Sequence, residues 1–228
     1  MKPKRLKLWN LTAHISFQEL FHRFQQLPFA EEKRVGFEPI EVLEGRATIR
    51  YHEQRTITQF FVNPLGETIE SNYSIYINFD MFIEELEQNL FSICMSAPPK
   101  DLKPFVELMQ TAIGTTFALE IVKPDISVFY EQLKRDKRLT RVMAKRIISG
   151  SVNVDIESSY RIDIVSTANA MTKLLEITGG RTTPIDKIKI TYQYDHKPVL
   201  VDLSRSGSIQ VSVDDDDHLR YLTSLMRR

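Results

Sequence analysis

From Lys187 to Val213 the chain writes three short strand signals, Lys187 to Tyr194, Pro198 to Leu203 and Ser208 to Val213. Only Asp195-His196-Lys197 and Ser204-Arg205-Ser206-Gly207 separate them. Connections that short join antiparallel neighbours, because parallel strands need a crossover of a dozen or more residues. The tail is therefore expected to be a β-meander. Asp214 to Asp217 then supply carboxylates at the start of a final helix with Leu219, Leu222, Leu225 and Met226 on its apolar stripe.

Other elements follow from the same patterns. Lys4 to His14 reads as an entry strand. Ser16-Phe17-Gln18-Glu19 is a capping-box pattern opening a helix with Leu20, Phe21, Phe24 and Leu27, closed by Pro28. Arg46 to His52 and Thr56 to Val62 read as a hairpin turning through Glu53-Gln54-Arg55, with Asn63-Pro64-Leu65-Gly66 as a further turn. Tyr73, Ile75, Ile77 and Phe79 alternate on one strand face. The spacing of Phe82, Leu86, Leu90 and Ile93 predicts a helix over 80–95, and a second helix is expected over 102–113. Thr115 to Val122 reads as a strand, and a long helix is expected over 126–148. Val152 to Glu157 and Tyr160 to Val165 read as strands, and Ser166 as the cap of a helix ending at Gly179-Gly180.

These elements give an α+β chain of two mixed halves with antiparallel sheets and a C-terminal β-meander followed by a helix. Ala97-Pro98-Pro99-Lys100 reads as a linker, which places one half at 1–96 and the other at 97–228. Apolar residues at 42% and charged residues at 26% suffice for a packed core without staples. Cys94 is the only cysteine, lies in an apolar run, and reads as a buried thiol in a reducing compartment. No apolar run reaches bilayer length, and the charged N-terminus has no signal-peptide core, so a cytoplasmic setting is expected.

The formal net charge is zero, but it is segregated. Lys134, Arg135, Lys137, Arg138, Arg141, Lys145 and Arg146 stand within thirteen residues that hold one anion, Asp136. On a continuous helix Lys134, Lys137, Arg138, Arg141 and Lys145 share one arc, with Leu133, Leu139, Met143 and Ile147 opposite. Such a helix would bury one face and offer the other to phosphates. The competing interpretation is a solvated face. Lys2, Lys4, Arg5 and Lys7 are either an arm on DNA or a fraying terminus.

Catalytic patterns are missing. The five histidines show no ligand spacing, and no P-loop, G-x-S-x-G or dinucleotide glycine pattern occurs. Asp186 with Asp195-His196-Lys197 has the residue types of a metal-dependent nuclease, but the second group has hairpin-turn composition. Asp214 to Asp217 lack the interleaved ligands of a calcium loop. The expectation is no catalytic residue, no metal, no cofactor and no small-molecule substrate. No helix-turn-helix, zinc-finger or RNA-recognition signature is present, so contacts to phosphate with weak sequence preference are expected.

A basic opening strand, an N-terminal α+β half, a later compact helix, then Asp186-Lys187-Ile188-Lys189-Ile190-Thr191 and the strand–turn–strand run Pro198 to Val213 form an ordered series. In that order the chain resembles the RexA family of phage-exclusion proteins. The resemblance implies a non-enzymatic, sequence-tolerant DNA binder that acts as a homodimer beside a membrane or effector partner. The function expected is a duplex-DNA-binding accessory or sensor in phage defence. The alternative is a protein-interaction subunit whose basic segment meets an acidic partner, and a third reading is a metal-dependent nuclease.

Overall fold

A computed structural model describes residues 3–114, 116–153, 159–213 and 215–227. The chain forms two compact units, a middle one of Asn10–Glu120 and a terminal one that joins Met1–Trp9 to Ile121–Arg228. Ala97 to Lys100 lie within the middle unit.

Strand β1 (Lys4–Ala13) is divided between the units. Helix α1 (Phe17–Gln25) starts where the capping pattern puts it, with the Glu19 amide donating to Ser16 Oγ at 3.2 Å. The Glu19 carboxylate does not close the box. It accepts from Arg23 Nε at 2.7 Å, one turn on. Strand β2 (Val35–Leu43) pairs with β3 (Arg46–Val62), and β3 pairs along its whole length with β4 (Thr68–Glu87). Strand β5 (Leu90–Ser96) completes the order β1-β5-β4-β3-β2 in this unit. Helix α2 (Lys103–Ile113) follows, with Pro104 in its first turn, and then β6 (Phe117–Ile121).

Two sequence expectations fail here. Residues 46–62 are one strand and not a hairpin, because Glu53, Gln54 and Arg55 find partners along the strand and need no turn. The turn falls at Asn63-Pro64-Leu65-Gly66, where Asn63 Oδ1 accepts from the amides of Leu65 and Glu67. Residues 80–95 are two strands joined at Asn89, whose φ is 68°, and not a helix. Their buried apolar residues are Phe79, Met81, Ile83, Phe91, Ile93 and Met95, spaced by two along each strand. The helical set Phe82, Leu86, Leu90 is only half-buried. In the core of this unit Phe24, Phe37, Tyr51, Phe79 and Phe105 meet edge to face or tilted, with Tyr51 and Phe105 centroids 5.5 Å apart. Arg23 Nη1 donates to the carbonyls of Ala112 and Ile113, which tie off the end of α2.

In the terminal unit α3 (Ile126–Arg135) is capped by Asp125, which accepts from the amides of Ser127 and Val128. Then come β7 (Leu139–Ser149), the short pair β8 (Val152–Asn153) and β9 (Ser159–Tyr160), and β10 (Asp163–Val165). The rest of the expected strand to Glu157 lies outside the described residues. Helix α4 (Ala170–Ile177) is capped by Asn169 and not Ser166, whose hydroxyl instead accepts from the Ala168 amide. The expected meander is present as β11 (Ile185–Tyr194), β12 (Lys197–Ser204) and β13 (Ser208–Val211), and α5 (Asp216–Leu225) ends the chain with Asp215 as its cap. Asp214 and Thr115 lie outside the described residues.

The sheet order in this unit is β10-β7-β11-β12-β13-β1, with each neighbouring pair antiparallel. Asp195 and His196 form the whole loop between β11 and β12, with φ of 48° and 60°. Both central residues at positive φ make a type I′ turn, whose twist matches the flanking strands. Gly207 closes the next turn at φ 77°, and a side chain there would run into the Val122 carbonyl. The row Ile164, Ile147, Ile188, Leu203, Ile209 and Leu6 crosses all six strands on the buried face. Helices α3, α4 and α5 lie on that face: Tyr130 of α3 bonds the Asn169 cap of α4, and His218 of α5 meets buried Tyr192.

Candidate nucleic-acid interface

The long basic helix over 126–148 does not form. Helix α3 ends at Arg135, Asp136 takes an extended φ/ψ of −73° and 113°, and the chain continues as β7. Asp136 is the local cause. Its carboxylate accepts from the Arg138 amide at 2.9 Å and from the Arg138 guanidinium at 2.7 Å, which stabilises a turn instead of another helical step. Val142, Ile147 and Ile148 then favour strand.

The five cations of the expected arc therefore separate. Lys134 sits in the last turn of α3, beside Glu131 at 3.4 Å and over the Tyr130 ring. Arg138 lies over the Tyr221 ring at 4.5 Å while holding Asp136. Hydrogen bonding to Arg138 keeps the Asp136 carboxyl well below the usual carboxylate range, and burial pushes the Tyr221 hydroxyl up to about 12. Strand β7 is bulged twice against β11, between Lys189 and Ile190 and between Thr191 and Gln193. The first bulge takes Lys145 out of alternation and sends its ammonium to the Thr167 carbonyl at 2.6 Å, ahead of α4. The second holds Arg141 at φ 55°. Arg146 pairs with Asp163 through two bonds of 2.9 and 2.6 Å. Among the described residues, Arg135, Lys137 and Arg141 make no ion pair and no side-chain hydrogen bond, and all three are exposed.

Pairing assembles a second basic group from distant parts of the sequence. Arg146 stands opposite Lys189, Lys189 opposite Asp202, Asp202 opposite Gln210, and Gln210 opposite Arg5. Directly opposed residues share a face, so this row crosses the side of the sheet away from the helices. The adjacent row adds Asp163, Lys187 and, on β1, Lys7. Among the described residues this face thus sets Arg5, Lys7, Arg146, Lys187 and Lys189 against Asp163 and Asp202. Lys187 pairs with Asp202 at 3.1 Å, whereas Arg5 and Lys189 have no such partner. The Lys7 ammonium lies 4.9 Å over the Trp9 ring, and burial, then Arg5, lowers its pKa. The expected N-terminal arm is corrected in part: Lys4, Arg5 and Lys7 belong to a paired strand, and Lys2 lies outside the described residues. The signal for this face was in the sequence, as cations spaced by two in Arg5-Leu6-Lys7 and Lys187-Ile188-Lys189, each flanking a core residue.

Among the described residues, no group of three or more His, Cys, Asp or Glu side chains is gathered to hold a metal ion. Asp195 and Lys197 rim an open pocket of about 400 Å³ with Tyr194, Asp215 and Ser212, at the turn end of β11 and β12. No described helix is long and apolar enough to cross a membrane. Compared with known proteins, the chain matches no family model and no curated sequence.

Proposed function

We propose that the protein is a sequence-tolerant duplex-DNA binder, an accessory or sensor in phage defence, and that it holds phosphates on the open sheet face of the terminal unit. The observation that carries this reading is the cross-strand row of Arg146, Lys189 and Arg5, with Lys187 and Lys7 beside it. Cations at regular cross-strand spacing suit regularly spaced phosphates. Duplex is favoured over single strands because stacking needs open aromatic faces, and the one indole on this face, Trp9, is covered by Lys7. The phage-defence context rests on the order of elements shared with the RexA family. The reading assigns no catalytic step to any residue.

Fluorescence anisotropy with labelled duplex across a salt series tests it. If about four phosphates are neutralised, log affinity falls against log salt with a slope of about −3.6. Arg5→Glu/Lys189→Glu should weaken binding at least tenfold with the thermal midpoint unchanged, since among the described residues neither side chain has a hydrogen-bond or ion-pair partner to lose. Scrambling the DNA sequence should change affinity by less than about tenfold. A folded double variant with wild-type affinity moves the interface elsewhere, and a salt slope near zero favours an acidic protein partner instead.

A further inference from the structure

The pocket of about 400 Å³ lies between the β11–β12 turn and the start of α5. Tyr194 follows Ile188, Ile190 and Tyr192 in alternation, and Lys197 stands directly opposite it. Both therefore project to the helix side of the sheet, away from Lys187 and Lys189 on the open face. Pro198, Val199 and Val213 give the pocket an apolar wall. Its charged groups are Asp195, Asp215 and Lys197.

The Tyr194 ring is held in place. His218 stacks on it with centroids 4.0 Å and planes 22° apart, and His218 is itself buried against Tyr192 Oη. His218 does not line the pocket, so the Tyr194 ring stands between the imidazole and the cavity. Two carboxylates beside it keep acceptor capacity. Among the described residues the Asp195 side chain makes no ion pair and no hydrogen bond, and Asp215 uses one oxygen to cap the His218 amide. Asp216 and Asp217 turn to Lys4 at 3.6 Å and Arg220 at 3.8 Å, and offset the positive end of α5. Burial, then the charges of Asp215 and Asp195, raise the pKa of the Tyr194 hydroxyl. The chain itself shows which cation such a setting takes. Tyr221 also packs on His218, with centroids 6.0 Å apart, and the Arg138 guanidinium lies over the Tyr221 ring while donating to Asp136. Tyr194 has the same surroundings, an aromatic ring flanked by carboxylates, and among the described residues no cation of the chain lies over it.

We propose that this pocket binds a small guanidinium compound that also carries a carboxylate, a ligand of the arginine class. The guanidinium lies on Tyr194 and donates to Asp195 and Asp215. The alkyl stem runs along Pro198, Val199 and Val213, and the carboxylate meets Lys197. A planar guanidinium both stacks on an aromatic face and offers paired donors to carboxylates, whereas a compact ammonium is a strongly hydrated point charge. The volume is toward the lower end for small-molecule sites, which suits a ligand of amino-acid size. A nucleotide suits the pocket less well. Its base could stack on Tyr194, but its phosphates would meet Asp195 and the carboxylates of Asp215 to Asp217 with Lys197 alone to offset them. The site lies on the other side of the sheet from the phosphate-binding face and does not depend on that reading.

Isothermal titration of the full chain with L-arginine, agmatine and L-lysine at low salt, without DNA, tests this. L-Arginine should bind with a Kd of about 1 mM or tighter. L-Lysine, which lacks the planar fork, should bind at least tenfold more weakly. Agmatine, which lacks the carboxylate, should also bind more weakly. Lys197→Ala should bring L-arginine down to the agmatine level and leave agmatine unchanged. Asp195→Asn/Asp215→Asn should weaken L-arginine at least tenfold with the thermal midpoint preserved, because asparagine tolerates the positive φ at 195 and caps a helix as well as aspartate does. No binding heat at about 10 mM L-arginine, lysine bound as tightly as arginine, or full affinity in the double variant would each overturn the proposal.

Discussion

Two hairpins in this chain are built to the same local rule and end differently. In the β11–β12 hairpin, Ile188, Ile190, Tyr192, Val199, Val201 and Leu203 alternate inward and none is more than 2% exposed. In the β3–β4 hairpin the inward positions are equally buried at the root, where Ile49, Tyr51 and Met81 have no exposure. Past Arg55 the same face opens to solvent. Alternation selects which side chains share a face, but it does not supply the cover. In the first hairpin α3, α4 and α5 reach the whole face. In the second α1 and α2 cover only the root, and the apolar pattern continues without them.

The change of environment in β3 is marked by an ion pair whose carboxylate is buried and whose guanidinium is partly exposed. The Glu53 side chain is 4% exposed and is held by the Arg55 guanidinium and by Tyr51 Oη at 3.1 Å. Arg55 also reaches the Asp101 carbonyl at 3.3 Å. Burial and the Glu53 charge push the Tyr51 hydroxyl well above its ordinary pKa, so it stays a donor. The largest expected effect follows. Arg55→Ala should cost about 3–5 kcal/mol, because it strands a desolvated carboxylate, and Glu53→Gln/Arg55→Leu should recover most of that. Urea unfolding of the three proteins checks it. A loss below about 1 kcal/mol for Arg55→Ala would mean that water already reaches Glu53 and that the covered part of the hairpin ends sooner.

The next effect compares the hairpins directly. Ile190→Ala should destabilise by about 2–5 kcal/mol through a cavity. Ile69→Ala, at an inward position of the β3–β4 hairpin beyond Arg55 where the side chain is 51% exposed, should stay within about 0.5 kcal/mol in the same urea unfolding. Similar losses at the two sites would break the comparison, since they would show the outer part of the hairpin as tightly covered as β11 and β12.

The smallest effect concerns pH and belongs to the first hairpin. His218 is 2% exposed, lies against Tyr192 Oη at 2.6 Å and stacks on Tyr194 with centroids 4.0 Å apart. Burial lowers its pKa, with Arg138 acting in the same direction and Asp215, Asp136 and Asp195 opposing. Below about pH 6.5 the unfolded chain takes up the proton first. The stabilisation from neutral His218 is thus complete above that pH and is lost as pH falls toward the lowered folded value. The thermal midpoint should drop between pH 7.5 and 5.5, and His218→Gln should flatten that step. An unchanged step in the variant would assign it to other groups.

Short-range signals in the sequence were enough for a good part of this structure. The meander from Lys187 to Val213, a turn within Asp195-His196-Lys197, the Ser16 cap, the helix expected over 102–113 and the carboxylate cap of the last helix each depend on neighbours a few residues away. Two of the misread segments carry competing signals. Residues 80–95 hold apolar side chains at both helical and strand spacing, and residues 137–148 place cations on one helical arc while Leu139, Ala144 and Ile147 reach one buried face only through the two bulges of β7. Partners from far along the chain decided between the periods: β3 for the first segment and β11 for the second. The basic face needed pairing most of all, because Arg5, Arg146 and Lys189 become neighbours only when β1, β7 and β11 enter one sheet. Backbone hydrogen bonding between strands is non-local, so a sequence states which residues alternate, and only the folded sheet states what they alternate against.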